Sequence, residues 1–239
     1  MCLKLNSDAI FIADSHYNKV NATALVDYLH TLTFCPPSQI FLMGDIAQVL
    51  VGNLKSSIEA NMPLLQALNR LKDTQIFWLE GNHDFALEAI HKHKLLENTT
   101  FIPRSEQPFR VEYEGKKYLL AHGDLFLSWR YSGYINLMRK STAFFWLIDF
   151  LSSGEIYEEM EEKLYDKNIR KHNFHFFEFS SKRIASYQKY ALKKGYDFDG
   201  IIEGHFHIGK KIQIKGIEYI ALPAFYFTLQ GIGLTKILK

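Results

Sequence analysis

The chain has 239 residues, a formal net charge of +2 and a hydrophobic content of 47%, a composition typical of a folded soluble domain. A net charge so close to zero gives no general argument for nucleic-acid binding, and we expect none. The two cysteines, Cys2 and Cys35, are too few for a disulfide framework and have no partner at zinc-finger spacing. There is no signal-peptide pattern and no apolar stretch of the roughly 20 residues that span a bilayer. We therefore expect a cytoplasmic protein with a single domain over residues 1–239.

The first third of the chain alternates between strand and helix patterns. The apolar runs Ala9–Ala13, Gln39–Met43 and Gln75–Leu79 are typical of buried strands. Helical patterns run from Val20 to Leu32 and from Leu54 to Leu71. This alternation predicts parallel strands joined by crossover helices, so that the carboxyl ends of the strands meet at one edge of the sheet, where ligands bind in such folds.

Polar residues follow each of these strands. They are Asp14-Ser15-His16, Gly44-Asp45 and Gly81-Asn82-His83-Asp84. Each motif alone also fits an ordinary turn or a helix cap. Their recurrence at successive strand ends favours a shared site.

The second half of the chain changes pattern. Phe109–Tyr113 and Lys117–Ala121 alternate as a hairpin does and end in His122-Gly123-Asp124. Residues from about 129 to 196 predict helices over 134–151, 155–167 and 176–194, which we interpret as an insertion that caps the site. Gly200–Glu203 restores the strand pattern and ends in Gly204-His205-Phe206-His207. The tail after Lys211 predicts short strands.

The polar residues at the strand ends have the chemistry of a metal site. We call them the strand-end cluster: Asp14, His16, Asp45, Asn82, His83, His122, His205 and His207. Carboxylates, an amide oxygen and imidazoles suit Mn, Fe, Zn, Co or Mg. On a strand, His205 and His207 would lie on one face, as a metal pair requires. Two divalent ions would outweigh the charge of the two ligand aspartates, which favours an anionic phosphate substrate.

Taken in this order, the motifs resemble the calcineurin-like metallophosphoesterases over about residues 9–207. The resemblance implies an α/β fold, a four-layer αββα sandwich, with a helical insertion acting as a lid at about 129–196. It also implies two divalent metal ions, with Mn²⁺ the first choice and Fe, Zn, Co or Mg as alternatives. One ion would be held by Asp14, His16, Asp45 and His207. The other would be held by Asp45, Asn82, His122 and His205.

The same resemblance gives the catalytic roles to His83 and Asp84. His83, steadied by Asp84, would stabilise the developing charge or protonate the leaving oxygen, which suits a group with an ordinary pKa near 6.5. The alternative for His83 is a supporting hydrogen bond without a chemical role. Asp84 would in either case orient the imidazole.

Within the superfamily, the short chain and the helical insertion resemble the UDP-2,3-diacylglucosamine hydrolases of lipid A synthesis. This predicts cleavage of the diphosphate bond to give UMP, with the enzyme bound peripherally to the cytoplasmic face of the inner membrane. The predicted substrate-binding residues are Arg130, Arg139, Lys140, Phe144, Phe145, Arg170 and Lys171. Where those hydrolases carry Arg and acidic residues, this chain has His83 and Ser128-Trp129-Arg130.

Those departures leave two alternatives open. The first is a soluble metallophosphatase or phosphodiesterase that acts on nucleotides or phosphoproteins. The second is a non-catalytic, metal-binding scaffold, against which stands the presence of every ligand residue that the resemblance requires.

Overall fold

The computed structural model describes residues 2–19, 22–141, 147, 149, 152, 157 and 175–239. The strands are β1 (Leu3–Lys4), β2 (Ile10–Ile12), β3 (Gln39–Leu42), β4 (Leu50–Val51), β5 (Gln75–Leu79), β6 (Asp84–Phe85), β7 (Thr99–Ile102), β8 (Phe109–Tyr113), β9 (Lys116–Ala121), β10 (Gly200–Glu203), β11 (Lys210–Ile214), β12 (Ile217–Ala221) and β13 (Ile232–Gly233). The α-helices are α1 (Ala22–Leu32), α2 (Lys55–Ala60), α3 (Met62–Asn69), α4 (Trp129–Lys140), α5 (Phe176–Lys194), α6 (Phe225–Thr228) and α7 (Leu234–Leu238). The segments Leu87–His93 and Arg104–Glu106 are 3₁₀ helices.

Two sheets carry the fold. A five-stranded sheet has the order β13-β2-β3-β5-β7, and a six-stranded sheet has the order β1-β8-β9-β10-β12-β11. Strands β2, β3, β5 and β7 are parallel, which confirms the predicted crossover arrangement. The predicted hairpin is the antiparallel pair β8 and β9, in which Val111 lies opposite Tyr118. A separate two-stranded sheet pairs β4 with β6.

The two large sheets pack face to face. Phe11, Phe41 and Phe77 project from neighbouring strands and stack with ring centroids 4.9 Å apart at each step. They share one buried cluster with Leu120 and Ile202 of the opposite sheet. Because side chains alternate along a strand, the residues between them face outward and require helices to cover them.

Helices cover both outer faces. Leu29 of α1 and Leu68 of α3 share a buried cluster with Ile40 on the outer face of the five-stranded sheet. Ile184 and Tyr187 of α5 share another with the outer face of the six-stranded sheet. The layers therefore run helix, sheet, sheet, helix, which confirms the predicted αββα sandwich.

The helical pattern from Leu54 to Leu71 forms two helices rather than one. Asn61 lies between α2 and α3 with φ −96° and ψ 7°. Its side-chain amide donates to the carbonyl oxygens of Val49 and Ser57. Pro63, in the first turn of α3, has no N–H with which to continue α2. The periodicity is continuous through this segment, but the backbone hydrogen bonding is interrupted.

Other differences lie in short segments. The chain after Asp84 forms β6 and a 3₁₀ helix, and β7 joins the parallel sheet without having been predicted. The tail contains the predicted strands as β11, β12 and β13, together with the short helices α6 and α7. In these segments the apolar runs are too short for periodicity to distinguish a strand from a helix.

The described part of the insertion is helical, as predicted. Helix α4 begins earlier than the pattern indicated, because the hydroxyl of Ser128 caps it by accepting the N–H of Tyr131 at 3.1 Å. Helix α5 covers the predicted range 176–194. The predicted helix over 155–167 lies outside the described residues, except for the buried Tyr157. No helix in the described ranges has the length and apolar character that a membrane crossing requires.

Candidate metal centre

The strand-end cluster forms one site at the carboxyl ends of β2, β3, β5, β9 and β10. Three groups in it bring potential ligand atoms within 4.8 Å of one another. The groups are Asp14, His16 and His207; His16, Asp45 and His83; and Asp45, His122 and His205. Asp45 and His16 each belong to two groups, so the groups form a continuous patch.

One half of the patch, which we call the His122 pole, consists of Asp45, Asn82, His122 and His205. The Nε2 atom of His122 lies 3.1 Å from Nδ1 of His205, 3.2 Å from Oδ1 of Asn82 and 3.5 Å from Oδ2 of Asp45. These distances bring a carboxylate, an amide oxygen and two imidazoles to a common point. This is the set that the family resemblance implied for one ion.

The other half, the His16 pole, consists of Asp14, His16, Asp45 and His207. His207 Nε2 lies 3.5 Å from Asp14 Oδ1, and the rings of His16 and His207 are 5.6 Å apart. Asp14, His16 and Asp45 are buried, whereas His207 is half-buried. The site therefore has a closed floor and one side that solvent can reach.

Left-handed backbone is common in this site. Asp14, His16, Asp45, His205 and His207 all have φ between 46° and 65°. Such conformations are uncommon outside glycine, and when they recur they cluster at functional sites. The prediction that His205 and His207 share one face of a strand is wrong, because β10 ends at Glu203 and the following turn sends the two imidazoles to different poles.

Glycines allow the loops to approach each other closely. A Cβ atom on Gly81 would lie 2.2 Å from Oδ1 of Asp45, and one on Gly44 would lie 2.5 Å from Nδ1 of His122. Both distances are shorter than any van der Waals contact. The glycines that precede Asn82 and Asp45 are thus required for packing between loops.

Asp84 does not orient His83, and that prediction is wrong. Its carboxylate accepts the N–H groups of Gly81 at 2.7 Å, Ile46 at 2.8 Å and Asp45 at 2.9 Å, and the indole N–H of Trp78 at 3.0 Å. Burial raises the pKa of Asp84 to about 6, and the charge of Asp45 adds to the effect. Asp84 therefore fastens the loop of Asp45 to the turn that carries Asn82 and His83.

His83 is oriented by the backbone instead. Its Nδ1 lies 2.7 Å from the carbonyl oxygen of Gln48, which places the proton on Nδ1. Its backbone N–H donates to Oδ1 of Asp45 at 2.9 Å, and its ring is 5.2 Å from that of His16. The Nε2 atom is thus the ring nitrogen available to the site. A backbone acceptor such as Gln48 has no signal in the sequence.

The charges of the cluster are set by burial and by each other. Burial lowers the pKa of His16 to about 4 and, with the help of His122, that of His205 to about 4. Burial also disfavours the charged form of His122, but the Asp45 carboxylate outweighs it and raises the pKa of His122 to about 10. Burial opposes ionisation of Asp45, yet the neighbouring imidazoles hold its pKa well below the usual range. His16 and His205 are therefore neutral imidazoles beside ionised carboxylates, the forms that bind a cation, whereas His122 would have to give up a proton to bind one.

These residues fit divalent metal ions. Carboxylate, amide and imidazole donors without a thiolate suit hard or borderline ions, and they do not select one metal. The Nδ1 atom of His122 lies 3.0 Å from the carbonyl oxygen of Met43, just as Nδ1 of His83 lies 2.7 Å from that of Gln48. A metal-binding histidine ordinarily donates its other ring N–H in this way. The His122 and His16 poles would each hold one ion, with Asp45 between them.

A buried ion pair between Arg183 and Glu203 supports the loops that carry His122 and His205. Arg183 of α5 donates from Nε and Nη2 to the two oxygens of Glu203, at 2.7 and 2.6 Å. The same guanidinium donates to the carbonyl oxygens of Leu125 at 2.6 Å and Gly123 at 3.1 Å. Tyr187 completes the group through its hydroxyl, 2.7 Å from Glu203. One arginine thus joins the loop of His122 to the loop of His205.

A second network lies on the opposite side of the His122 loop. Arg104 Nε donates to Oδ2 of Asp124 at 2.6 Å, and Gln107 accepts the backbone N–H of His122 at 2.8 Å. Gln107 also donates to the carbonyl oxygen of Glu80. Sequence inspection missed this network and the Arg183 pair. The one available signal was Glu203, a carboxylate that ends an apolar strand and so requires a buried partner.

The predicted substrate-binding residues have different surroundings. Arg139 was expected to meet phosphates or lipid head groups, but its guanidinium pairs with Glu80 and donates to the carbonyl oxygen of Gly81 at 2.8 Å. Arg130 is exposed, with its guanidinium 5.4 Å from the ring centroid of Trp129, and Lys140 is exposed. The remaining predictions, Phe144, Phe145, Arg170 and Lys171, lie outside the described residues.

A cleft of about 510 Å³ opens beside the Asn82 turn, between α4 and the 3₁₀ helix Leu87–His93. Its lining residues are Glu80, Phe85, Ala86, Glu88, Ala89, Lys92, Pro103 and Arg139. The lining is mixed in polarity. It gives neither the long apolar chamber expected of a lipid site nor a purely polar pocket.

Comparisons with known proteins agree with the motifs. The pattern of the calcineurin-like phosphoesterase family matches residues 9–209. No curated protein matches the chain. Similar solved structures include an archaeal phosphodiesterase (11% identity, TM-score 0.47, 96% of this chain and 94% of that chain) and a dimetal phosphatase from Danio rerio (12%, 0.37, 90% and 87%). A third is the Zn²⁺ complex of Vps29 from Entamoeba histolytica (13%, 0.41, 90% and 73%).

Proposed function

Because the chain belongs to the calcineurin-like phosphoesterase family, whose members are metal-dependent hydrolases, we propose that the strand-end cluster hydrolyses a phosphoester with two divalent ions. One observation carries the proposal: the cluster divides into two ligand groups that meet at Asp45. Ions held there would lower the pKa of water and offset the charge of the phosphate. The loops around them would place the phosphorus atom against both poles.

His83 is proposed, in its doubly protonated imidazolium form, as the proton donor to the leaving oxygen: Nε2 transfers its proton, and the Nδ1 proton stays hydrogen-bonded to the carbonyl oxygen of Gln48. Its Nδ1–H is held by the carbonyl of Gln48, and its ring borders both His16 and Asp45, so that Nε2 faces the reacting phosphate. A proton donor matters most when the leaving group is an alkoxide. It matters less for a leaving phosphate, whose second pKa is about 6.

For the substrate, the first proposal is UDP-2,3-diacylglucosamine, cleaved by water to UMP and a lipid monosaccharide phosphate. The supporting observation is the set of large apolar side chains exposed at and before α4: Phe126, Leu127, Trp129 and Leu137. An apolar surface next to the site suits acyl chains. It would also hold the enzyme peripherally at the cytoplasmic face of the inner membrane.

The second candidate is a water-soluble phosphodiester or phosphomonoester, of a nucleotide or a phosphoprotein. Two observations favour it. The imidazole of His83 lies beside the cluster, where the role proposed above would suit an alkoxide leaving group, and Arg139 is already neutralised by Glu80 rather than open to a lipid diphosphate. The two candidates share the metal chemistry and differ in what binds next to it.

The test uses purified protein loaded with Mn²⁺ and two substrates, UDP-2,3-diacylglucosamine and bis(p-nitrophenyl) phosphate. Release of UMP supports the lipid substrate, whereas cleavage of the diester alone excludes it and leaves the second candidate. The control is His122→Ala, which removes a ligand from the His122 pole. Its turnover should fall at least about 100-fold, as should that of wild type treated with a chelator. Unchanged turnover in either case would overturn the two-ion proposal.

A further inference from the structure

Helix α4 lies across the loops of the His122 pole. Its first turn follows the His122-Gly123-Asp124 loop directly, with Ser128 as its cap. Its last turn is fastened to the opposite loop, because Arg139 donates to the carbonyl oxygen of Gly81, next to Asn82. A side chain on the inner face of α4 therefore points toward the space between His122 and Asn82, two of the proposed metal ligands.

Tyr131 is on that inner face. Spacing of four residues relates it to Ile135, which is buried, and to Arg139, so the three side chains share one side of the helix. The hydroxyl oxygen of Tyr131 is inaccessible to solvent and has no hydrogen-bond partner among the described residues. Buried hydroxyls ordinarily have a partner, so a lone one requires an explanation.

The charges around Tyr131 belong to the site. Burial is the largest cause of its raised pKa, and the carboxylates of Asp124 and Asp45 raise it further, while Arg104 and Arg139 lower it. The hydroxyl keeps its proton at any physiological pH. It is therefore a hydrogen-bond donor, which a substrate oxygen reaches once α4 moves away from the loops beneath it.

We propose that the hydroxyl of Tyr131 donates a hydrogen bond to a phosphoryl oxygen of the bound substrate. This rests on the proposed function, because the phosphate at the His122 pole is the acceptor. Tyr131 is then a substrate-binding residue supplied by the insertion. It gives the lid helix a direct role in recognising the phosphate, separate from any contact with the rest of the substrate.

The test compares Tyr131→Phe with Tyr134→Phe, one turn along the same helix, where the hydroxyl belongs to a ring that is 57% exposed. The measurements on Mn²⁺-loaded protein are kcat/KM for bis(p-nitrophenyl) phosphate, the inhibition constant of inorganic phosphate, the Mn²⁺ content and Tm. Tyr131→Phe should lower kcat/KM and phosphate affinity by about 10- to 100-fold, the usual effect of losing a hydrogen bond to a charged group. Tyr134→Phe should change neither.

Stability separates this role from a structural one. Because the Tyr131 hydroxyl has no protein partner, Tyr131→Phe should keep the Mn²⁺ content and keep or raise Tm. If it lowers Tm and leaves phosphate affinity unchanged, the hydroxyl serves only the fold, through an ordered water, and the inference is overturned. If wild type neither cleaves the diester nor binds phosphate, the proposed function fails together with the inference. If wild type does both and Tyr131→Phe equals it, the inference alone fails.

Discussion

The two described helices of the insertion are attached to the sandwich in different ways. Helix α5 buries Ile184 and Tyr187 against the six-stranded sheet and carries the buried charge of Arg183. Helix α4 buries Ile135, while Trp129 and Leu137 are 80% and 65% exposed. One helix is thus a layer of the fold, and the other rests on the loops of the metal centre.

The difference shows that position in the insertion does not decide function. In α5 the buried Arg183 replaces water around Glu203. It also holds the loop of His122 through the carbonyl oxygen of Gly123, on the side of the loops away from any substrate. In α4 the inner face has few apolar contacts, and its attachment is polar, through Ser128 and Arg139. We expect substitutions in α5 to act on folding and substitutions in α4 to act on turnover.

Arg183→Met is the substitution with the largest expected effect. It leaves the buried Glu203 carboxylate without its cation, which ordinarily costs about 3–5 kcal/mol of stability. Urea unfolding measures the loss. The matched control is Arg110→Met, because Arg110 is exposed and its guanidinium stacks on the ring of Tyr196 at the surface, so the free energy of unfolding should change by about 1 kcal/mol or less. The double variant Arg183→Met/Glu203→Met should regain part of the loss. Equal effects for Arg183→Met and the control would remove the distinction between the helices.

Arg139→Met should have a smaller effect on stability and a clear effect on catalysis. Glu80 would still accept the backbone N–H groups of Leu87 and Arg104, so we expect a loss of about 1–2 kcal/mol. Because Arg139 holds the carbonyl of Gly81, beside Asn82, kcat for bis(p-nitrophenyl) phosphate should fall about tenfold. Parallel urea unfolding and steady-state kinetics test this. A stability loss as large as that of Arg183→Met would show that α4 belongs to the folding core.

Leu137→Ser should have the smallest effect on the fold. The side chain is 65% exposed, so the free energy of unfolding should change by no more than about 0.5 kcal/mol. Turnover of bis(p-nitrophenyl) phosphate should also stay constant. Turnover of UDP-2,3-diacylglucosamine should fall if the apolar face of α4 receives acyl chains. A variant that retains full turnover of the lipid would count against that substrate contact.

Much of the site was predictable because strand ends are predictable. Apolar runs that stop at Asp14, Asp45 and Asn82 place these residues at one edge of a parallel sheet, whatever the details of the loops. The same reasoning located His122 and His205 on the second sheet. The candidate metal ligands thus follow from the order of the motifs along the chain and from the family resemblance that those motifs carry.

The roles of single residues were less predictable, because they depend on contacts between distant segments. Asp84 follows His83 in sequence, yet its carboxylate accepts the backbone N–H of Ile46, 38 residues away. The pairing of Arg183 with Glu203 could not be predicted, since Arg183 is one of many basic residues in an apparently ordinary amphipathic helix. The hydrophobic pattern of a helix or strand predicts which of its faces is buried. The partner of a buried charge depends on which distant segments the tertiary structure brings next to it.

The left-handed backbone of the ligand loops has a consequence for metal uptake. Protein hydrogen bonds hold these conformations: His16 donates its backbone N–H to the carbonyl of Asp45 at 3.0 Å, and His205 donates to Oδ2 of Asp14 at 2.8 Å. The conformational entropy of these loops is therefore lost when the chain folds and not when an ion arrives. An entering ion would meet the candidate ligands already in place, so exchange of one divalent ion for another should leave the backbone unchanged.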